Sequence, residues 1–307
     1  MTRLDGIVAC SGGLLVAQRG APPGSREPSL RVGGVATVRP PDSPPVEVRR
    51  SDNHVWRRHW LDDDRLVIEF VDLALVEVDG ATVVFDRDLP DEMEQHLLFD
   101  HVLPLVLARD GRLVLHGGVV SRGGRGAVLV GATGAGKSTL TAFAWQQGWT
   151  VGGDDGSVLF TTDPPTVEPT YATLRLTPTS ADLLGIDPAT SSAVVGKMRI
   201  AGHGRQAFHQ RAVELRLIAI IEPVGDAEAS FEPLGGIDAH ARLFGSTFHA
   251  DLSRTNLLPA MLDELATIVE TTTVGRLTVP RGLAGLTSAE QLLRMLLDGD
   301  GQCGNPA

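Results

Sequence analysis

Between positions 131 and 139 the chain reads Gly131-Ala132-Thr133-Gly134-Ala135-Gly136-Lys137-Ser138-Thr139. Gly131, Gly136, Lys137 and Ser138 complete the pattern G-x-x-x-x-G-K-[ST]. Its chemistry is anion capture. The glycines let the backbone curl so that its N–H groups point inward at phosphate oxygens, and the start of a following helix adds a favourable dipole. Lys137 is expected on the β and γ phosphates and Ser138 on Mg²⁺, with Gly131 through Thr139 lining the anion. The pattern implies a nucleoside triphosphate, read as ATP with Mg²⁺. It does not by itself separate a phosphotransferase from a hydrolysing switch.

That choice depends on what faces the γ-phosphate. Asp154 and Asp155 lie in Gly152-Gly153-Asp154-Asp155-Gly156, one short strand beyond the helix that follows the loop. One carboxylate there can hold Mg²⁺, a role assigned to Asp154, and the other can accept the proton of an acceptor hydroxyl. His116 lies upstream of the loop as a further catalytic candidate. Lysine occurs only at positions 137 and 197, although Lys plus Arg number 27. A lysine kept in so arginine-rich a chain suggests a place where a compact ammonium is wanted, so Lys197 is expected on phosphate or acceptor. It opens a basic stretch through Arg199, His203, Arg205, His209 and Arg211. Arg175 is a second candidate for the same work. A competing reading starts from Leu217-Ile218-Ala219-Ile220-Ile221-Glu222, an apolar run ending in a carboxylate, which in an ATPase or GTPase would hold Mg²⁺ or orient water.

The elements that position these residues can be read from hydrophobic periodicity. Leu113 to His116 and Ala127 to Gly131 read as two strands joined by the turn Ser121 to Gly126, and the second runs into the glycine loop. Lys137 to Gln147 reads as a helix with Gly148 as its C-cap. Trp149 to Val151 and Ser157 to Phe160 read as strands around the Asp pair, Leu215 to Ile221 as a central strand, and 257–270 and 288–297 as amphipathic helices. Upstream, Leu30 to Val38, Leu66 to Phe70 and Ala81 to Phe85 read as strands, and Asp91 to Leu107 as a helix with a kink at Pro104. The expectation is an α/β protein in two parts, a β-rich module over 1–110 ending in a helix and a catalytic domain over 111–307.

Composition narrows the partners. A net charge of −11 argues against nucleic acid, whose binding draws on a cationic face. The cations and aromatics from Arg49 to Trp60 could suit a nucleic acid or a peptide, but read instead as a solvated strand or hairpin face. No run reaches the ~18 apolar residues of a membrane span, and the N-terminus has no secretory pattern. The 2 cysteines, Cys10 and Cys303, are too far apart in the chain to suggest a disulfide framework. The expected compartment is the cytoplasm, with no membrane partner.

Leu115-His116-Gly117, the glycine loop and the Gly-Asp-Asp turn together resemble the catalytic domain of HPr kinase/phosphorylase, bacterial P-loop kinases that phosphorylate a protein serine. In that family a His-Gly stands fifteen residues before the first loop glycine, and the second aspartate of a pair stands eighteen after the loop lysine. Here 131 minus 116 is 15, and 155 minus 137 is 18. The likeness covers about 113–160. It implies a P-loop kinase domain with a mixed sheet and flanking helices, Lys137 on the phosphates, Ser138 on Mg²⁺, Asp155 as general base and His116 in support. The whole layout is similar to shorter HPr-kinase-like proteins that accompany ribosomally made peptides, including lasso peptide kinases. That likeness implies a peptide or protein hydroxyl, chiefly serine, as acceptor, with a small-molecule hydroxyl as the alternative. The family also tends to assemble, so a homo-oligomer is an expectation.

Overall fold

The computed structural model describes residues 2–4, 7–9, 14–16, 29–33, 35–51, 54–63, 65–80, 82–171, 173–187, 193–194, 196–200, 212–224, 228–249 and 257–299. They fall into two compact units, one of Met1–Gly111 with His249–Pro259 and one of Arg112–Phe248 with Ala260–Ala307.

Among the described residues, the first unit is built on a seven-stranded sheet in the order Leu14–Val16, Ser29–Val32, Thr82–Phe85, Ala74–Asp79, Arg65–Phe70, His54–Asp62, Glu47–Ser51. Its pairs are antiparallel, except that Ser29–Val32 runs parallel to Thr82–Phe85. Alternation places Leu66, Ile68, Val76, Val78 and Val83 in the interior. The strand read from Leu30 stops at Val32, well short of the expected Val38, although Val38 is still buried beside Trp60 and Val67. The Arg49 to Trp60 segment is a hairpin, but it is not simply a solvated face. Arg57, His59 and Trp60 are buried, and Arg57 donates to Glu47 at 2.8 Å, because a guanidinium taken out of water needs a carboxylate. The helix expected over 91–107 is interrupted. Asp91–Leu97 and Leu103–Arg109 are α-helical, and Leu98–Val102 forms a π turn between them. Pro104, which lacks an N–H and cannot complete the α ladder, sits just past this widened turn.

The second unit carries a mixed sheet. Its elements are β1 (Leu113–Leu115), β2 (Gly117–Arg122), β3 (Arg125–Val130), α1 (Lys137–Gln146), β4 (Thr150–Gly153), β5 (Ser157–Phe160), β6 (Thr166–Pro169), β7 (Leu174–Leu176), α2 (Pro178–Leu184), β8 (Ala193–Val194), β9 (Lys197–Ile200), β10 (Val213–Val224), β11 (Ser230–Pro233), α3 (Gly236–Phe244), α4 (Leu257–Thr271), β12 (Thr273–Pro280) and α5 (Gly282–Asp298). The main sheet runs β1-β5-β6-β10-β3-β2-β4, with β12 paired to β10 and β11 to β12, while β7, β9 and β8 form a small sheet of their own. β3, β10 and β12 are parallel, and the other pairings are antiparallel.

Both faces of β10 are buried over Leu217–Ile221, where its sequence is continuously apolar. Leu217, Ala219 and Ile221 enter the core shared with Leu140 and Phe143 of α1 and Leu286 and Leu293 of α5. Ile218 and Ile220 enter the opposite core, with Ala239 and Leu243 of α3 and Leu265 and Ile268 of α4. The architecture is mixed α/β with an antiparallel-rich N-terminal module, as its residues imply. One topological expectation is corrected. The strand before the loop strand is not Leu113 to His116. The chain bends at His116, and Gly117–Arg122 forms a separate strand that pairs antiparallel with β3, Gly117 against Val130. β1 instead pairs with β5 at the far end of the sheet. α1 ends one residue earlier than expected: Gln147 is the C-cap, and Gly148 follows it at φ 84°.

Candidate active site around the phosphate loop

β3 delivers the chain to the loop from a fully apolar interior, and α1 carries it away. Gly131, Gly134 and Gly136 take φ of 148°, 82° and 98°, a region costly for residues with a Cβ. A Cβ on Gly131 would also stand 2.8 Å from the Ile221 carbonyl oxygen, so only glycine lets the loop leave β3 flush against β10. Gly136 is the left-handed N-cap of α1, and the first-turn amides of that helix have no carbonyl beneath them. Buried Lys137 donates from Nζ to the carbonyls of Gly131 at 2.8 Å and Ala132 at 3.2 Å. Burial lowers its pKa, and Asp155 opposes that shift. Ser138 is half-buried on the first turn. The Thr139 hydroxyl is turned to α2, 2.9 Å from Ser180 Oγ, which leaves its backbone rather than its side chain for an anion.

β4 lies antiparallel to β2 and ends at Gly153, so Asp154 and Asp155 emerge next to the start of β2 and therefore next to the loop. Trp149, just before β4, is anchored by donating from Nε1 to Glu290 Oε1 at 2.6 Å, and Arg294 binds the same oxygen. Asp154 is fully buried. Its Oδ2 accepts from the Arg175 backbone amide at 3.1 Å, and its Oδ1 is buried with no hydrogen-bond partner. Asp155 Oδ2 accepts from Arg175 Nη2 at 3.0 Å. Arg175 itself is buried on β7. Desolvation and the neighbouring Asp155 push Asp154 upward. For Asp155 burial also acts upward, but Arg175, by charge and hydrogen bond, together with Lys197 overcomes it and holds the group ionised. The two carboxyls thus differ, one favouring its proton and one its charge.

His116 occupies the bend between β1 and β2, where its amide donates to the Ser246 carbonyl at 2.7 Å and its ring meets Phe248 edge-on at 5.8 Å. Desolvation lowers its pKa to about 4 despite Asp155 and a hydrogen bond to the Asp155 backbone, with Lys137 and Lys197 adding to the lowering. It is a neutral imidazole at neutral pH. Lys197 begins β9, half-buried, within electrostatic reach of His116, Lys137, Asp154 and Asp155. Five separate pieces of chain therefore bring His116, Lys137, Asp154 with Asp155, Arg175 and Lys197 to one place. His203, Arg205, His209 and Arg211 lie outside the described residues, as do Cys10 and Cys303.

Two residues contribute in ways that the residue pattern alone does not announce. Arg175 serves both carboxylates from behind, whereas the residue pattern suggested a contact to acceptor or phosphate. Its signal was an arginine inside the apolar string Thr173-Leu174-Arg175-Leu176, since a cation among core residues must be paired. Gly118 is the second. A Cβ there would stand 2.8 Å from Thr141 Oγ1, 3.2 Å from the Gly153 carbonyl oxygen and 3.3 Å from Asp154 Cα. Gly118→Ala is expected to displace the Asp pair and lower turnover by about 10-fold or more, given how steeply rates depend on placement. Nucleotide affinity should change little, so a comparison of kcat with nucleotide Kd checks it.

Glu222, the competing carboxylate, ends the apolar part of β10. Arg242 Nη1 donates to its Oε1 at 2.6 Å, and Arg276 Nη1 stands 3.6 Å from its Oε2. Both oxygens are committed to cations. The Asp154 side suits Mg²⁺ better, with an orphaned carboxylate oxygen on a buried group and the Ser138 hydroxyl at the head of α1. The described residues hold no group of three protein ligands. A nucleotide-borne Mg²⁺ does not require one, because phosphate and water oxygens complete its shell. Among the described residues no helix is long and apolar enough to cross a membrane.

No family model matches the chain, and no curated protein matches it. Among solved structures, the HPr(Ser) kinase/phosphatase from Coxiella burnetii is similar, with a TM-score of 0.33 and 14% identity over 59% of this chain and 88% of that one.

Proposed function

We propose that this protein is a Mg²⁺-dependent ATP phosphotransferase whose acceptor is a hydroxyl, chiefly a serine of a peptide or protein. The observation that carries the reading is the unequal carboxylate pair beside the phosphate loop, with Asp155 ionised against Arg175 at 3.0 Å and Asp154 retaining an unpartnered buried oxygen. The loop amides and Lys137 bind the β and γ phosphates. Lys137 exchanges its contacts to the Gly131 and Ala132 carbonyls for phosphate oxygens, which restores hydrogen bonds to a desolvated ammonium. Ser138 and Asp154 would hold Mg²⁺, with Asp154 giving up the proton that burial favours, and the cation would neutralise phosphate charge.

The acceptor oxygen attacks the γ-phosphorus, the bond from that phosphorus to the bridging oxygen breaks, and ADP leaves with the electron pair. Asp155 takes the proton of the acceptor hydroxyl as the acceptor oxygen becomes the phosphoester oxygen. Neutral His116, joined to the Asp155 backbone, positions that residue without adding a charge. Lys197 adds positive charge opposite the transferring group. The pairing of Glu222 with Arg242 and Arg276 weighs against the switch reading, in which Glu222 would have to be free for Mg²⁺ or water.

The test is transfer of label from γ-labelled ATP to serine-containing peptides and to small polyols. Label on a hydroxyl that needs both Mg²⁺ and Lys137 supports the proposal, and Lys137→Met should lower transfer by about 10²-fold or more by removing a charge-assisted phosphate contact. Hydrolysis of ATP with no label on any acceptor would overturn it.

A further inference from the structure

β3, β10 and β12 are parallel, so their C-terminal ends open on one edge of the sheet, and the phosphate loop occupies that edge at β3. On one side of the loop, toward β2 and β4, stand His116, Asp154 and Asp155. Phosphoryl transfer keeps the attacking and leaving oxygens roughly in line through phosphorus. With the proton acceptor on the β4 side, the leaving diphosphate and its nucleoside must extend to the other side, where β10 and β12 end.

Those ends are level, with Pro223 opposite Val279 and Val224 opposite Pro280. Ala219 and Ile221 face α1 and α5, so Pro223, next in the alternation, belongs to that same face, and its partner Val279 lies in the same core. The chain then turns through Arg281 and Gly282, the latter at φ 84°, directly into α5. α1 and α5 thus begin at the same edge and on the same face, two strands apart, which is about 10 Å. Pro223 and Arg281 are exposed, and Leu283 is 49% exposed although Leu286, one turn on, is buried.

We propose that Pro223, Arg281 and Leu283 form the nucleoside subsite, with the base lying on Leu283 and Pro223 and the Arg281 guanidinium stacked at its rim. This deepens the phosphotransferase reading and rests on it. The subsite recognises the flat face of a base, a contact open to any nucleobase.

Calorimetric titration of the full chain with Mg·ATP and with Mg·tripolyphosphate, which has the phosphates and no nucleoside, tests it. Both substituted side chains are exposed, so the variant Arg281→Ala/Leu283→Ser retains the fold. Its affinity for ATP should fall by about 10-fold or more, the scale of a lost base-stacking contact. Tripolyphosphate should bind the variant as it binds the wild type. Unchanged ATP affinity in the variant would overturn the subsite, because the nucleoside then lies elsewhere. An equal loss for both ligands would overturn it too, by placing the effect in the loop. If the wild-type chain bound neither ligand, the triphosphate reading itself would fall and take the subsite with it.

Discussion

Asp155→Asn is expected to lower phosphate transfer by about 10²- to 10⁴-fold, the range for loss of a positioned general base. The amide keeps the shape of the carboxylate and still offers an oxygen to Arg175 Nη2, so ATP should continue to bind. Transfer rate and nucleotide Kd, measured on the same preparation well below its melting temperature, separate lost chemistry from lost folding. Glu222→Gln is the companion. Its carboxylate is held by Arg242 and Arg276, and its loss is expected to cost turnover only a few-fold, since surface ion pairs of this kind contribute little. A large loss from Glu222→Gln with a small one from Asp155→Asn would reverse the assignment and favour a nucleotide-driven switch.

Arg175→Leu is expected to destabilise the protein by about 3–5 kcal/mol, because it strands a buried carboxylate without its cation. That corresponds to a fall in Tm on the order of 10 °C for a domain of this size. The dependence on pH identifies the cause. In the wild type burial tends to raise the Asp155 pKa, but Arg175 and the other cations hold it below the unfolded value. The stability it contributes is therefore present above that unfolded value, near 4, and is lost as pH falls toward the depressed folded value. In Arg175→Leu the burial effect is left with less opposition, and protonation relieves the stranded charge, so the deficit relative to wild type should shrink as pH falls below about 5. The double variant Arg175→Leu/Asp155→Asn should recover part of the loss at neutral pH. A deficit that is constant with pH and not recovered would make Arg175 a packing residue only. Thermal melts of the wild type and the two variants between pH 4 and pH 8 measure both outcomes.

Local chemistry determined much of this protein in advance. The glycine loop was legible because its backbone demands, positive φ at Gly131, Gly134 and Gly136 and a helix starting at Lys137, are met by residues adjacent in the chain. The continuous apolar run around Ile218 announced a strand buried on both faces, since no other position in a sheet tolerates it. Asp154 and Asp155 could be expected near the loop because one helix and one short strand return the chain to the same sheet edge.

What the sequence could not decide depends on pairing between segments far apart in the chain. Gly117–Arg122 does not announce itself as a strand, because its two leading glycines lack side chains to show alternation, yet those glycines are what bring β2 against β3 and Asp154. His116 consequently sits at a bend rather than within a strand. Arg175 showed a charge in an apolar setting but not its partner, and the small sheet that carries it beside Lys197 is assembled from strands that say little alone. The glycine loop and the carboxylate pair were written in residue types. Their unequal protonation, and the exposure of Leu283 one turn before buried Leu286, arose only when burial and three-dimensional pairing set which groups face one another.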